Sequence, residues 1–226
     1  MLFLGMPGYR QAGAVCDIAV LEHNAMSLMS TLRTLYWTWY LRRNGARVGR
    51  NFVVQGPIEI LLRDGGKLSN VTIGDNVTFT GKTYLRIRKE GKVTVEDGVR
   101  LGTDVWLVGA NDTTLSVGEN TVLGSYSIFN GGHGIRIGSH CVFAAFVYVN
   151  SSDHNFKRGE LVLNQGFSGA PIEIGNDVWL GGHVFVNKGV TIGEGTIVGA
   201  GAVVTKDIPS YKIAVGNPAQ VLMDRE

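Results

Sequence analysis

The chain has 226 residues, a formal net charge of +2, 44% hydrophobic residues and 18% charged residues. That length suits one large domain or two small ones, and the near balance of charge gives no sign of a nucleic-acid surface. Glycine is the outlier, at 32 residues against 5 prolines. It is spread along the chain, which marks regular corners and not a disordered tract.

Residues 1–25 show no period, and Met26 is a second candidate start. The leading MLFLGMPGYR lacks a basic leader and has too short an apolar core for a signal peptide. No apolar run reaches bilayer-spanning length. From Met26, MSLMSTLRTLYWTWYLRRNG reads as a helix with Leu28, Leu32, Leu35 or Tyr36, and Trp39 on one side, and with Gly45 as its stop.

Beyond residue 46 an apolar residue recurs at every sixth position, in sets of three. The sets are Val48–Val54–Ile60, Ile73–Phe79–Leu85, Val95–Leu101–Leu107, Val117–Leu123–Phe129, Ile137–Phe143–Val149, Ile174–Leu180–Val186 and Ile192–Val198–Val204. Stepping by six scatters residues around a helix, but an even step keeps them on one side of a strand. Extra residues fall only between sets, after Ile60, Leu85, Leu107, Phe129 and Val149, so every interruption lies on one corner of a three-sided coil. The positions two before the repeat residue are small or branched as well: Val178, Val184, Val190, Thr196 and Ala202. They share the inward side, where a charge would be costly. Cys141 occupies this inward position before Phe143, so it reads as a small buried residue and not as a nucleophile. Cys16 is the second cysteine, and a reducing cytoplasm fits the pair.

The pattern predicts an all-β fold, a parallel β-helix of about seven coils. Residues 1–46 form an N-terminal extension and helix, 47–208 the β-helix, and 209–226 a short C-terminal tail. A solenoid needs its open end covered, so the helix is expected to cap the first coil. The alternative is weak membrane-surface association through residues 26–43, given Trp37, Trp39, Arg42 and Arg43.

The longest interruption, NSSDHNFKRGELVLNQGFSGAP from Asn150 to Pro171, is polar and far longer than a corner needs. Long loops on rigid scaffolds tend to carry function. It holds His154, and histidine is the side chain suited to proton transfer near neutral pH. Asn130 and His133 lie at the same corner one coil earlier and could face the same cleft. Asp153 is a candidate for orienting the His154 ring and for touching a bound substrate.

From Ile137 onward these residues resemble the hexapeptide-repeat acyltransferases, in particular sugar O-acetyltransferases of the galactoside, maltose and polysaccharide type. The resemblance runs from about Arg47 to Val221. It implies a left-handed β-helix, against the usual right-handed crossover rule. It also implies acetyl-CoA as co-substrate, a homotrimer with active sites between subunits, and direct transfer in a ternary complex. Carried over by register, His154 matches the general base, which removes a hydroxyl proton as the thioester is attacked. Trp179 and Gly182 of DVWLGG match positions beside the thioester, where a backbone amide can meet the developing oxyanion. Ala200, Thr205 and Lys206 match coenzyme A contacts, the last within VTKDIPSYKIAVGNPAQV. Gln220 departs from the cation usual after Asn217-Pro218-Ala219, with Lys212 or Arg225 as candidate substitutes. Gly124 departs from the asparagine of the galactoside enzymes, with Ser125, Tyr126, Asn130 and His133 as nearby candidates for the acceptor.

The expected function is acetyl transfer to a hydroxyl of a sugar or surface-polysaccharide precursor, in the cytoplasm and without a metal. N-acetylation of an antibiotic or an amino sugar is the main alternative. A metal-dependent enzyme of the γ-carbonic-anhydrase type would need three converging ligands from His23, His133, His140, His154 and His183, and these lack that family's close histidine pair. A non-catalytic scaffold leaves His154, its loop and the C-terminal run without a purpose.

Overall fold

A computed structural model describes residues 28–226. Met26, Cys16, His23 and the unpatterned first residues lie outside that range. The chain is a solenoid of seven three-sided coils, its strands stacked into three parallel sheets. The first sheet runs from Arg47–Val48 to Thr191–Ile192, the second from Val53–Val54 onward, and the third from Ile58–Arg63 to Val203–Val204. Each strand pairs in parallel with its counterpart one coil away; Val122 and Leu123, for example, align with Val142 and Phe143. The hand is left, as the repeat's resemblance implied.

The six-residue repeat forms the core because it points one residue per strand into the prism. Leu123, Phe129, Val149, Leu180 and Val198 are all fully buried, as are the paired inward positions Val178, Val184 and Ala202. Polar residues at inward positions find partners. The Thr196 hydroxyl donates to the Pro209 carbonyl at 2.9 Å, and the Thr121 hydroxyl donates to Gly138 at 3.0 Å. Cys141 is buried too, and burial raises the pKa of its thiol. Corners turn through left-handed backbone at Asn51, Asn76, Asp104, Asn120 and Asp177, residue types that tolerate it. Tyr126, Phe146 and His183 adopt the same conformation on one corner, and their rings stack in sequence at 5.1 and 4.7 Å.

All the interruptions fall at the corner between the third and first sheets, where the spacing put them. In the early coils they are not loops. They lengthen the third-sheet strands to Ile58–Arg63, Thr83–Arg88, Val105–Gly109 and Ile128–Gly131. The widened corner has its own buried residues, Ile87, Val93, Leu115 and Ile135.

The helix α1, Leu28–Arg43, closes the first coil. Leu41 is fully buried, and Trp37 and Tyr40 pack on the core. Its polar groups also satisfy the unpaired strand edge, which would otherwise recruit another chain. Arg42 donates to the Val48 and Gly49 carbonyls, Arg33 donates to Gln55, and the Thr34 hydroxyl accepts from the Val54 amide at 2.9 Å. The capping face is the reverse of the apolar side read from the sequence: Leu28, Leu32, Leu35, Tyr36 and Trp39 point outward and are exposed. Both sides of the helix are apolar, so periodicity had no contrast to read. Among the described residues no helix is long and apolar enough to cross a membrane. At the other end, Lys212–Val215 extends the second sheet in parallel, and Gln220–Asp224 folds back on it antiparallel.

Candidate active site

The interruption after Val149 forms a β-hairpin. Ser152–His154 pairs antiparallel with Phe167–Gly169, setting His154 opposite Phe167. The two rings touch, with centroids 4.1 Å apart, and His154 remains exposed. The hairpin root is pinned by Ser151, which is fully buried. Its hydroxyl donates to the Asn130 carbonyl at 2.9 Å and accepts from the His133 amide at 3.0 Å. The distal loop is organised by Gln165, whose side chain accepts from the Lys157 amide and donates to the Lys157 and Glu160 carbonyls.

A polar cluster lies beneath the hairpin. The Asn130 carboxamide donates to Asn150 Oδ1 at 2.9 Å, and Asn150 donates to the Ser152 carbonyl at 2.7 Å. Lys188 reaches from the next coil, 3.3 Å from Asp153 Oδ2 and 3.1 Å from the Ser168 hydroxyl. Asp153, expected to orient the His154 ring, makes no hydrogen bond to it among the described residues and meets Lys188 and Asn150. Successive strand residues face opposite sides, so Asp153 meets Lys188 while His154 faces Phe167. His133 sits under the returning strand, with Nδ1 buried and without a hydrogen-bond partner among the described residues. Asn150, Ser151, Gln165 and Lys188 carry no motif that would have singled them out from the sequence.

The residues matched to the coenzyme divide between two edges of the prism. Trp179 lies on the outside of the second sheet, half exposed, in register with Val142 and Ile197. Gly182 and Ala200 stack on the corner between the second and third sheets, where the Gly201 amide donates to the Gly182 carbonyl at 2.8 Å. Among the described residues, neither the Gly182 nor the Ala200 amide donates to another backbone group. Gly182 is half-buried and Ala200 is exposed. Thr205 and Lys206 are exposed on the opposite corner, the one that also carries His154. One chain thus places His154 and Gly182 on different edges, with the third sheet between them. The proposed substitutes for the cation missing at Gln220 are engaged elsewhere: Lys212 pairs with Asp224, and Arg225 pairs with Asp177 at 2.9 Å.

Comparison with known proteins agrees with this architecture. Residues 171–206 match the family model "Bacterial transferase hexapeptide (six repeats)", and residues 114–151 match "Hexapeptide repeat of succinyl-transferase". The "Probable acetyltransferase Rv3034c" of Mycobacterium tuberculosis is 38% identical over 120 residues, 53% of this chain. The matched segment spans 40% of that relative's length. The fold is also that of AntD, an N-acyltransferase from Bacillus cereus solved with dTDP and 3-hydroxybutyryl-CoA. The TM-score is 0.59 at 20% identity, covering 84% of this chain and 88% of the other. The two family matches fall on coils on either side of the hairpin, so this part of the chain carries the repeats of hexapeptide transferases on a left-handed β-helix.

Proposed function

We propose that the protein is an acetyl-CoA-dependent O-acetyltransferase acting on a sugar or surface-polysaccharide precursor, with His154 as general base. The hairpin carries this reading: it holds an exposed histidine on a rigid, doubly pinned strand beside a polar cluster suited to hydroxyl groups. The similarity to a relative named as an acetyltransferase supports the reaction class. Acetyl-CoA would supply the activated acyl group. The residues present fit such a ligand: amides at Gly182 and Ala200 that donate to no other backbone group, an exposed indole at Trp179, and the exposed Lys206 for a phosphate. His154 would take the acceptor's hydroxyl proton as that oxygen attacks, which is worth about 10²–10⁴-fold in rate. Cys141, buried beneath the coil with its pKa raised, takes no part.

The division of the site between two edges supports a homotrimer in which one subunit's hairpin meets its neighbour's coenzyme edge. The hairpin's far end carries Phe156, Leu161, Val162 and Leu163, all exposed, and a neighbouring subunit would cover them.

The test is acetyl-CoA consumption with a sugar panel, comparing wild type with His154→Ala. The variant should lose transfer and keep acetyl-CoA binding; retained turnover removes His154 as the base. Hydroxylamine treatment of the product separates the ester expected here from an amide, which would instead show N-acetylation. Light scattering should report three subunits, and a monodisperse monomer would refute the shared site.

A further inference from the structure

The lengthened third-sheet strands of the early coils carry a cationic cluster that the coenzyme and His154 do not use. Residues 63, 86 and 88 lie on the outer side of this corner, and Arg63 and Arg88 are direct cross-strand neighbours. Like charges placed opposite each other repel. Asp64 pairs with Arg88 at 3.0 Å, so that carboxylate is already taken. Among the described residues Arg63 and Arg86 make no ion pair.

Arg86 is not loose. Its guanidinium lies over the Trp106 ring at 4.9 Å, and Trp106 stacks flat on Tyr84 at 4.0 Å. On the far side of the stack Lys82 covers Tyr84 at 4.3 Å, but Lys82 is already matched to Glu59 at 2.8 Å. A guanidinium held on an indole, with no carboxylate of its own, is preorganised for two-pronged binding of a carboxylate or phosphate.

The cluster also points toward the site. Register places Arg86 beside Val108, Val108 beside Asn130, and Asn130 beside Asn150 at the hairpin root. Adjacent strands are about 4.8 Å apart, so Arg86 lies roughly 10 Å from Asn130 on the same side of the sheet, with the buried Val108 between them.

We infer that this row is an extended acceptor subsite for an anionic saccharide, whose carboxylate or phosphate is held by Arg86 with Arg63 while its reacting sugar lies at the hairpin. The placement of the reacting sugar rests on the function proposed above; the binding of the anion does not.

Binding is measured on the full chain by calorimetry without acetyl-CoA, so the result is independent of turnover. The probes are a galacturonic acid tetrasaccharide, UDP-galactose and a neutral galactose tetrasaccharide. At least one charged probe should bind tenfold or more tighter than the neutral one, and salt should erode that advantage. Preference for the first marks a carboxylate acceptor and preference for the second a phosphate. Arg86→Ala should remove about tenfold of the affinity, Arg86→Lys should recover only part, and Arg63→Ala should act in the same direction. Equal or absent binding of all three probes overturns the inference. So does full affinity in Arg86→Ala, or a change of oligomeric mass in Trp106→Ala, which would make this face a subunit contact. Loss of His154-dependent transfer with anion binding intact would refute the proposed activity and leave the subsite standing.

Discussion

Gly169 lies against the ring of His133: a β-carbon at position 169 would come 2.1 Å from Nδ1 and 2.3 Å from the Ser151 carbonyl oxygen. The returning strand of the hairpin can therefore sit at this depth only without a side chain. Gly169→Ala must lift that strand, and with it Phe167 and the His154 ring that rests on it. A displacement of about 1 Å at a reacting group can cost some 10²-fold in rate. The expected result is a kcat loss of that order with an unchanged urea midpoint, since the hairpin stands outside the core. Normal kcat would show that His154 does not depend on this contact.

Adjacent glycines at the proposed coenzyme edge should separate folding from function. A β-carbon at 181 would come 2.6 Å from the Ala200 amide nitrogen, whereas at 182 the nearest atom is the Ala145 carbonyl oxygen at 3.5 Å. Gly181→Ala should cost about 1–3 kcal/mol through forced coil separation. Gly182→Ala should change stability by less than about 0.5 kcal/mol and should raise KM for acetyl-CoA by crowding the open edge. Urea titration and steady-state kinetics read the two effects, and a stable Gly181→Ala would contradict the packing.

Lys206→Ala removes an exposed cation that the fold does not use. KM for acetyl-CoA should rise by about tenfold, the scale of one hydrogen bond to a charged group, with kcat nearly unchanged. Added salt should shrink the difference between variant and wild type. An unchanged KM would place the phosphates elsewhere.

Cys141 should make stability fall at alkaline pH. Burial raises its pKa above the ordinary value of 9.0. The folded chain therefore holds the proton more tightly than the unfolded chain does. The resulting stabilisation is complete below about pH 9 and is lost as pH rises through the folded value. Between pH 8 and 10.5 the urea midpoint of wild type should fall further than that of Cys141→Ala. Parallel slopes would count against a buried, protonated thiol.

The solenoid was legible because its information is one-dimensional. Leu180 and Val198 are six-residue repeat members whatever else the chain does, and stacking identical coils buries them without any long-range choice. The position of the interruptions was legible for the same reason, and so was the prominence of His154 in the longest of them. The capping side of α1 was not, because Trp37 and Leu41 on one face are as apolar as Leu35 and Trp39 on the other. Only the shape of the first coil selects between them.

Periodicity along the chain specified the number of coils, the inward residues and the corner at which the chain departs from the repeat. Tertiary structure alone decided what happens there: that early interruptions become lengthened strands bearing Arg86 and Trp106, that the last becomes a hairpin, and that Asp153 meets Lys188 and not His154. The reason is physical. Inward packing depends on local periodicity, which the chain writes out residue by residue. Contacts between corners depend on which residues the coil brings into register, and those lie 20 or more positions apart.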